Sequence, residues 1–253
     1  TDQITKLNPI YIILKMMQII ILKYSHGLIS ALPNTTNYIK KYNKNLPQIY
    51  IPNGYKPYPR YKKKFNKNKL RIMYIGRFNS NHDIKIILRS AKYFLYKKKK
   101  NNFLFDIYGY GDNLKYIKKY ISQHNLKNVN LKGKIKKDKI YSSSKKYDLA
   151  LATITNSKCY QWGVNINKIY EYFNSSMPVI FSGNVPFNRI KKADCGYLCS
   201  NFNFIDLSKK ILKFNKLNDI EKRRLSTNAK NFFDREYNLK LKTKKLDKFL
   251  SIC

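Results

Sequence analysis

The sequence predicts an α/β fold built on a doubly wound parallel sheet. From Leu70 onward, short apolar runs alternate with amphipathic segments of helical period, as in chains made of repeated strand–helix units. Glycines follow several of the apolar runs, where such a sheet needs tight turns. The 253 residues are 43% hydrophobic and 15% aromatic, so the chain can bury a substantial core.

The first 50 residues begin with a strongly apolar stretch. Residues 5–24 predict a helix with apolar side chains on most faces, and Ile10–Leu22 is its most apolar part. This part is too short to cross a bilayer, which takes about 20 apolar residues. It fits a buried helix or a helix lying at an interface, and we expect the buried one.

Turn and capping residues divide the chain that follows. The expected elements are a strand at Gly27–Ala31, a helix from Asn34 or Thr35 to Lys41, and a short strand at Ile49–Ile51. Pro52-Asn53-Gly54 is a strong turn signal. Residues 55–69 are rich in Lys, Tyr and Pro without periodicity, which predicts a connector.

Strands and helices then alternate to the end of the chain. The expected strands are Leu70–Ile75, Phe103–Tyr108, Val129–Leu131, Asp148–Thr153, Pro178–Phe181 and, more weakly, Gly196–Leu198. The expected helices are Ile84–Tyr96, Leu114–His124, Asp138–Ser144, Ile166–Phe173, Phe204–Leu212, Asp219–Phe233 and Leu239–Leu250. Right-handed crossovers bring the carboxyl ends of parallel strands to one edge, where ligands bind. The turns at Gly76, Gly109, Gly133 and Gly163 should share that edge.

The charge is strongly positive, at +38, and suggests contact with anionic surfaces. The basic residues are nearly all lysine and are scattered, whereas arginine, which reads bases and grips phosphates in pairs, is scarce. Enrichment of Lys, Asn, Ile and Tyr together is typical of AT-rich codon usage. We therefore expect no dedicated nucleic-acid site, although a lysine-rich RNA-binding protein stays an alternative.

The cysteines do not form a metal-binding pattern. Cys195 and Cys199 are four residues apart, and neither Cys159, Cys253 nor a nearby histidine completes a zinc set. We expect reduced thiols in a cytoplasmic protein.

Two strand ends carry candidate ligand-binding residues. Gly109 and Gly111 let the backbone approach a ligand, or form a plain tight turn, and the sequence favours neither. The third glycine of a dinucleotide fingerprint is missing, so a nicotinamide site is disfavoured. Gly76-Arg77 ends the first strand, and Arg77 could grip a diphosphate with two parallel hydrogen bonds, with His82 nearby. Taken alone, Arg77 fits an ordinary surface arginine better, and His82 an incidental histidine.

The segment from Tyr160 to Pro178 is the most informative. A helix begins near Asn167, and the free N–H groups of a helix start favour a phosphate. Lys168 adds a positive charge there, which a bound anion would offset. Glu171 lies one turn further, so both side chains can face one cleft, where a carboxylate suits the hydroxyls of a ribose. The alternative is a Lys–Glu pair that only stabilises the helix.

These segments together resemble family 4 of the GT-B glycosyltransferases, in the subgroup with an "SPNK" donor signature. The similar segments, in the family's order, are Ile51-Pro52-Asn53-Gly54, Tyr74-Ile75-Gly76-Arg77, Phe105 to Gly111, Asn128 to Gly133, Tyr147 to Leu151, and Tyr160 to Ile180. The resemblance covers residues 26–237. It implies a Rossmann-like donor-binding domain at 70–238, a connector at 51–69, a remnant of the acceptor-binding domain at 1–50, and a final crossover helix at 239–253.

The resemblance also implies a role for each matching residue. The donor diphosphate would be held by Arg77, Asn167 and Lys168, the sugar or phosphate by Gly163, Val164 and Asn165, and the ribose by Glu171, while the backbone at Gly76, Gly109, Gly111 and Gly133 would approach the nucleotide. Three positions depart from the family pattern: Gly163 replaces the first glutamate of E-x7-E, His82 replaces a lysine, and Asn165-Ile166 replaces Ser-Pro.

The implied function is transfer of a hexose-type sugar from a UDP- or GDP-linked donor to a glycan or lipid-linked acceptor, with retention of configuration. We expect no cofactor and no metal, because no paired carboxylates suit one, and the sequence names no catalytic base. We expect a cytoplasmic protein, with peripheral contact to an anionic membrane. The chain starts at Thr1, and we expect a fragment that is inactive alone. A non-catalytic nucleotide-binding or scaffold module stays an alternative.

Overall fold

Six parallel strands form the main sheet of the computed structural model, which describes residues 8–99, 102–186, 188–200 and 202–252. The strands are β3 (Leu70–Arg77), β4 (Phe103–Tyr110), β5 (Val129–Gly133), β6 (Leu149–Thr153), β7 (Val179–Ser182) and β8 (Gly196–Cys199), after β1 (Leu28–Ser30) and β2 (Gln48–Tyr50). Their order is β5-β4-β3-β6-β7-β8. The order reverses direction between β3 and β6, so the sheet is doubly wound and the predicted fold class is confirmed.

Helices cover both faces of this sheet. They are α1 (Pro9–Tyr24), α2 (Thr36–Ile39), α3 (Ile84–Lys92), α4 (Leu114–Gln123), α5 (Lys137–Ser144), α6 (Asn167–Asn174), α7 (Arg189–Ala193), α8 (Phe204–Lys216), α9 (Asp219–Glu236) and α10 (Leu239–Leu250). On one face, α3, α4 and α8 bury apolar side chains against β3, β4 and β5. On the other, α6, α7 and α9 pack against β6 and β7. All five residues of β6 are buried, as expected for a central strand covered on both sides.

Side-chain caps fix several helix starts. Asn218 and Glu221 form a reciprocal capping box at the start of α9, which satisfies two otherwise free N–H groups. Asn203 caps the start of α8 with a single hydrogen bond, which its side chain accepts from the backbone N–H of Asp206. The helix predicted at Ile84–Tyr96 ends as α-helix at Lys92 and continues as a π-helical turn, Tyr93–Lys97, which buries Phe94.

The first part of the chain forms a small unit of its own. β1 and β2 pair in parallel, separately from the main sheet, and Leu22, Ile39 and Leu46 form a minor core beside them. Helix α1 begins at Pro9 with Asn8 as its cap, while residues 5–7 of the predicted helix lie outside the described part of the chain.

The prediction that Ile10–Leu22 is buried is wrong. Leu22 is the buried residue of α1, whereas nine apolar residues between Ile10 and Ile21 are 39–58% exposed. The polar side of α1 is held instead, since Lys15 Nζ donates to the hydroxyls of Tyr38 and Tyr42. Apolar content predicted the helix correctly, but no other described residue covers its remaining faces.

The cysteine prediction is tested at two positions. Cys195 and Cys199 are free thiols, and burial raises the pKa of both well above the usual range. The side chain of Cys159, and Cys253, lie outside the described residues.

Candidate active site

A cleft of about 540 Å³ opens at the carboxyl end of the main sheet. It lies beyond the ends of β3 and β4 and beside the start of α6, where the topology predicts ligand binding. Its lining residues are Tyr55, Ile75, Gly76, Arg77, His82, Gly109, Tyr110, Lys134, Ile135, Lys137, Ile140, Asn165, Ile166, Asn167, Lys168 and Glu171. The structure therefore brings together seven predicted site residues from three separate segments: Gly76, Arg77, Gly109, Asn165, Asn167, Lys168 and Glu171.

Lys168 is the most unusual residue of the cleft. Its residue surface is 8% exposed, and its Nζ donates to the hydroxyl of Tyr74 at 3.2 Å. No carboxylate of the described residues lies within ion-pair distance of Lys168. Burial lowers the pKa of Lys168 to about 7, because the charged form loses solvation without gaining a counter-ion.

Gly76 makes room for this lysine. A Cβ at Gly76 would lie 2.5 Å from Lys168 Nζ and 2.6 Å from the hydroxyl oxygen of Tyr74. A side chain at this position would therefore force Lys168 Nζ and the Tyr74 hydroxyl to move. The glycine at the end of β3 thus allows a buried ammonium group beneath the floor of the cleft, which adds to its predicted role of exposing backbone.

His82 also lines the cleft, at the position where the family pattern has a lysine. Its Nδ1 lies 3.1 Å from the carbonyl oxygen of Thr153. A carbonyl only accepts hydrogen bonds, so Nδ1 carries the proton and Nε2 is an acceptor. Burial and the charge of Lys168 lower the pKa of His82 to about 4. His82 is therefore neutral near pH 7 and cannot supply a lysine's charge.

Glu171 follows Lys168 by one turn of α6 and is only 4% exposed. Its Oε2 accepts a hydrogen bond of 3.1 Å from the hydroxyl of Tyr58, and its Oε1 lies 4.0 Å from Lys137 Nζ. Burial raises the pKa of Glu171, while both of these contacts oppose the rise. The Lys168–Glu171 pair expected from a purely helix-stabilising role is not formed.

Asparagines connect the start of α6 to the turn at the head of the connector. Asn53 Nδ2 donates to Asn167 Oδ1 at 2.8 Å, and Asn165 Nδ2 donates to Asn53 Oδ1 at 3.3 Å. The hydroxyl of Tyr170 donates to Asn165 Oδ1 at 2.5 Å. These bonds hold the residues before α6 in place, so the start of the helix, at Asn167 and Lys168, lines the cleft in a fixed arrangement.

Three side chains form the exposed edge of the cleft. The guanidinium carbon of Arg77 lies 6.0 Å from the centre of the Tyr110 ring, and Lys134 Nζ lies 4.1 Å from it. Arg77 is exposed and has no carboxylate partner among the described residues. It is free to turn towards an anion in the cleft.

The remaining predicted glycines do not line the cleft. A Cβ at Gly111 would meet the carbonyl oxygen of Phe78 at 2.6 Å, so this glycine serves a tight turn. Gly133 ends β5 with φ of 68°, and the next two residues, Lys134 and Ile135, are the ones that reach the cleft.

Gly163 and Val164, predicted to meet the sugar or phosphate, are both buried. A Cβ at Gly163 would lie 2.7 Å from the ring of Pro33, and the carbonyl of Val164 accepts a hydrogen bond of 2.7 Å from Arg189. Asn165, the third member of that predicted group, does line the cleft. Contact between Gly163 or Val164 and a sugar stays a prediction.

Several cleft residues escaped the sequence analysis. Tyr55, Lys134, Ile135 and Lys137 line the cleft, yet each sits in a segment without a distinctive pattern. Tyr110 also lines the cleft, but only the glycines on either side of it were predicted to matter. Tyr58 does not line the cleft but donates to Glu171, which does, and its only sequence signal was the density of tyrosine and proline in the connector.

The described ranges contain no group of three or more His, Cys, Asp or Glu residues that could hold a metal ion. None of their helices combines the length and apolarity that a bilayer-spanning segment needs.

Solved structures with the same architecture are numerous. A mutant of S. aureus TarM, in complex with fondaparinux, α-GlcNAc-glycerol and UDP, matches with a TM-score of 0.74 at 24% identity, over 94% of this chain and 46% of that one. Sucrose-phosphate synthase from Thermosynechococcus elongatus matches with a TM-score of 0.73 at 15% identity, over 93% and 60%. Anabaena HepE, in complex with UDP and glucose, matches with a TM-score of 0.71 at 13% identity, over 94% and 66%. The chain spans about half the length of TarM.

Sequence comparison gives the family itself. A search of curated proteins finds no significant match. The family model described as "Glycosyl transferases group 1" matches residues 58–232, which is well over half of the chain and includes the main sheet and most of the cleft. This chain belongs to the group 1 glycosyl transferases.

Proposed function

We propose that the cleft binds a nucleotide sugar, UDP- or GDP-linked, and that the chain is the donor-binding half of a hexosyltransferase of the family 4 type. The observation that carries the proposal is the buried ammonium of Lys168, which has no carboxylate partner among the described residues and lies beside the start of α6, one turn before the buried carboxylate of Glu171. An anion there would be met by the charge of Lys168 and by the positive end of the helix dipole together.

The residues of the cleft suit the chemistry of a departing nucleoside diphosphate. Arg77, Lys168 and the first turn of α6 would stabilise the negative charge that grows on the diphosphate as the sugar leaves. This arrangement needs no metal ion, and we expect donor binding to be unchanged by EDTA. We propose transfer with retention of configuration, by resemblance to family 4.

Glu171 would accept hydrogen bonds from the ribose hydroxyls. Glu171→Ala should weaken UDP or GDP binding by roughly 1.5–3 kcal/mol, the range for hydrogen bonds to a charged group. Glu171→Gln should cost less, because the amide oxygen still accepts one bond. Isothermal titration tests this, with Glu236→Ala as the matched control, because Glu236 pairs with Arg235 outside the cleft. Unaltered affinity in Glu171→Ala would end the ribose assignment.

UDP is the first nucleotide to test, because the TarM and HepE structures hold UDP, and GDP is the second. If wild-type protein binds neither, a scaffold role becomes the better account. Tight RNA binding that a nucleotide sugar does not displace would favour the RNA-binding alternative.

The acceptor would be a glycan or a lipid-linked sugar, held by a second domain. Two observations support this organisation: α1 exposes apolar side chains on several faces, and the chain spans less than half of TarM. We propose that residues 1–50 belong to the last part of such an acceptor-binding domain, and that the chain without the rest of that domain transfers no sugar. We place the protein in the cytoplasm, at the inner face of an anionic membrane, which its charge of +38 would favour.

A further inference from the structure

The connector is fastened along α6 by one asparagine. Asn174, the last residue of α6, is 1% exposed, and its Oδ1 accepts a hydrogen bond of 2.8 Å from the backbone N–H of Tyr58. Its Nδ2 donates 2.9 Å to the carbonyl oxygen of Lys56. Residues 56–58 therefore run beside α6 in a fixed register.

The ring of Tyr58 is fixed as well. It packs against Tyr141 with ring centres 4.8 Å apart, and the hydroxyl of Tyr141 donates to the carbonyl oxygen of Pro59 at 3.0 Å. With its backbone and ring both held, Tyr58 has little freedom left. Its hydroxyl donates to Glu171 Oε2 at 3.1 Å.

The two oxygens of Glu171 are held unequally. Oε2 has the hydrogen bond from Tyr58, whereas the partner of Oε1 within the described part of the chain is Lys137 Nζ at 4.0 Å, on a side chain that is 73% exposed. A ligand can displace the exposed lysine more easily than the tyrosine, whose backbone and ring are both held. The bond from Tyr58 thus fixes one oxygen and leaves the other for the cleft.

We infer that Tyr58 is a positioning residue, which orients the Glu171 carboxylate so that it recognises the two hydroxyls of a ribose. This inference rests on the proposed nucleotide-binding function. Two vicinal hydroxyls bind a carboxylate well only when its plane is oriented, so holding it in advance avoids an ordering cost on binding.

The test compares ribonucleotides with analogues that lack the two hydroxyls. Isothermal titration would measure UDP, GDP and their 2′,3′-dideoxy forms against wild type, Tyr58→Phe and Tyr61→Phe. Tyr58→Phe keeps the ring that packs on Tyr141. Tyr61→Phe is the matched control, because the Tyr61 hydroxyl also joins the connector to the end of α6, at the Ser175 carbonyl, without touching Glu171.

We expect Tyr58→Phe to weaken binding of the preferred ribonucleotide roughly 2- to 10-fold, as one hydrogen bond is worth. Binding of the dideoxy analogue should stay within about 2-fold of wild type, since its affinity does not depend on the carboxylate. Tyr61→Phe should leave the preference for ribose unchanged.

A second readout is the pH dependence of that preference. The hydrogen bond from Tyr58 opposes the burial that raises the pKa of Glu171, so its loss should raise that pKa further. As the pH is lowered, Glu171 becomes protonated and the ratio of ribo- to dideoxynucleotide affinity should fall. This fall should begin at a higher pH in Tyr58→Phe than in wild type. The phosphates are common to both ligands and cancel from the ratio.

The outcomes separate this inference from the proposed function. Wild type that binds the ribo and dideoxy forms equally would overturn ribose recognition by Glu171 itself. A ribose preference that is present in wild type and unchanged in Tyr58→Phe would overturn the positioning role alone. Equal losses for both nucleotide forms would show a merely structural effect and would also overturn it.

Discussion

The ammonium of Lys168 lies 3.2 Å from the hydroxyl of Tyr74 and occupies the space that a Cβ at Gly76 would take. Tyr74 and Gly76 both belong to β3, whereas Lys168 belongs to α6, nearly a hundred residues later in the chain. The hydroxyl can accept one hydrogen bond but cannot neutralise the charge. The free protein therefore buries an amine that carries its full positive charge only below about pH 7, and the natural complement of that charge is an anion in the cleft.

Removing the charge of Lys168 should make the free protein more stable and at the same time weaken nucleotide binding. Lys168→Met keeps the length of the side chain and removes the desolvation cost, so it should stabilise the free protein by on the order of 1 kcal/mol. The same change should abolish the rise in Tm that UDP or GDP causes. Thermal unfolding with and without nucleotide measures both. A destabilised variant that still responds to nucleotide would contradict the proposal.

The stabilising effect of Lys168→Met should depend on pH. Lys168 has a pKa of about 7 in the folded protein against 10.5 in the unfolded chain. The cost of burying its charge is therefore complete below pH 7 and disappears as pH rises towards 10.5. Urea unfolding of wild type and variant at pH 6.5 and pH 9 should show the difference in unfolding free energy shrinking at the higher pH. A constant difference would argue against a buried charge.

Nucleotide binding should take up a proton. A bound diphosphate favours the charged form of Lys168, so the affinity for UDP or GDP should fall as pH rises from 7 to 9. Above pH 7 the nucleotide phosphates, with a last pKa near 6, contribute little to this change. Isothermal titration in buffers of different ionisation enthalpy measures the number of protons taken up on binding. For Lys168→Met, that number should be zero. An affinity that does not vary with pH over this range would contradict the prediction.

Gly76→Ala should act through Lys168. The added Cβ would approach Lys168 Nζ to 2.5 Å and displace it, so the protein should lose roughly 1–3 kcal/mol of stability, the usual cost of overpacking, and its nucleotide affinity should fall as well. A double-mutant cycle provides the control. Much of the loss of stability should disappear when Gly76→Ala is made together with Lys168→Ala, because the smaller side chain leaves space. Additive effects would show that the two residues do not interact.

Contact with a membrane makes a separate prediction. The exposed apolar side chains of α1 and the charge of +38 should bring the protein to vesicles that contain anionic lipid. Flotation should collapse at high salt, and it should weaken when Ile12 and Ile20, both about half exposed, are changed to serine. Equal flotation with neutral vesicles would contradict an electrostatic contribution.

Local pattern was sufficient for the elements of the main sheet. The apolar runs at Leu70, Phe103 and Val129 were recognisable as strands because each is flanked by turn residues and amphipathic helices. In the structure they are neighbours in the sheet. Short elements gave no such signal. The five residues of α7 and the 3-10 turn Lys158–Trp162 span too little chain for periodicity to show.

Burial and pairing between distant segments were beyond the sequence. Apolarity of Ile10–Leu22 predicted a helix, but local sequence does not say what covers a helix, and the expected burial was wrong. Sequence spacing placed Lys168 and Glu171 on one side of α6. It could not show that Tyr58, 113 positions away from Glu171, would supply that glutamate's hydrogen bond.

The contact between Pro33 and Gly163 bears on how small an independent donor-binding unit can be. Pro33 packs on Gly163, and the N–H of Asn34 donates to the carbonyl of Trp162 at 3.2 Å. Tyr50 further accepts a hydrogen bond from Arg189, whose guanidinium also holds the Val164 carbonyl. The loop leading into α6 is thus shaped by residues that lie upstream of the 58–232 region shared with the family. A recombinant piece trimmed to those boundaries should keep its sheet but lose the conformation of this loop.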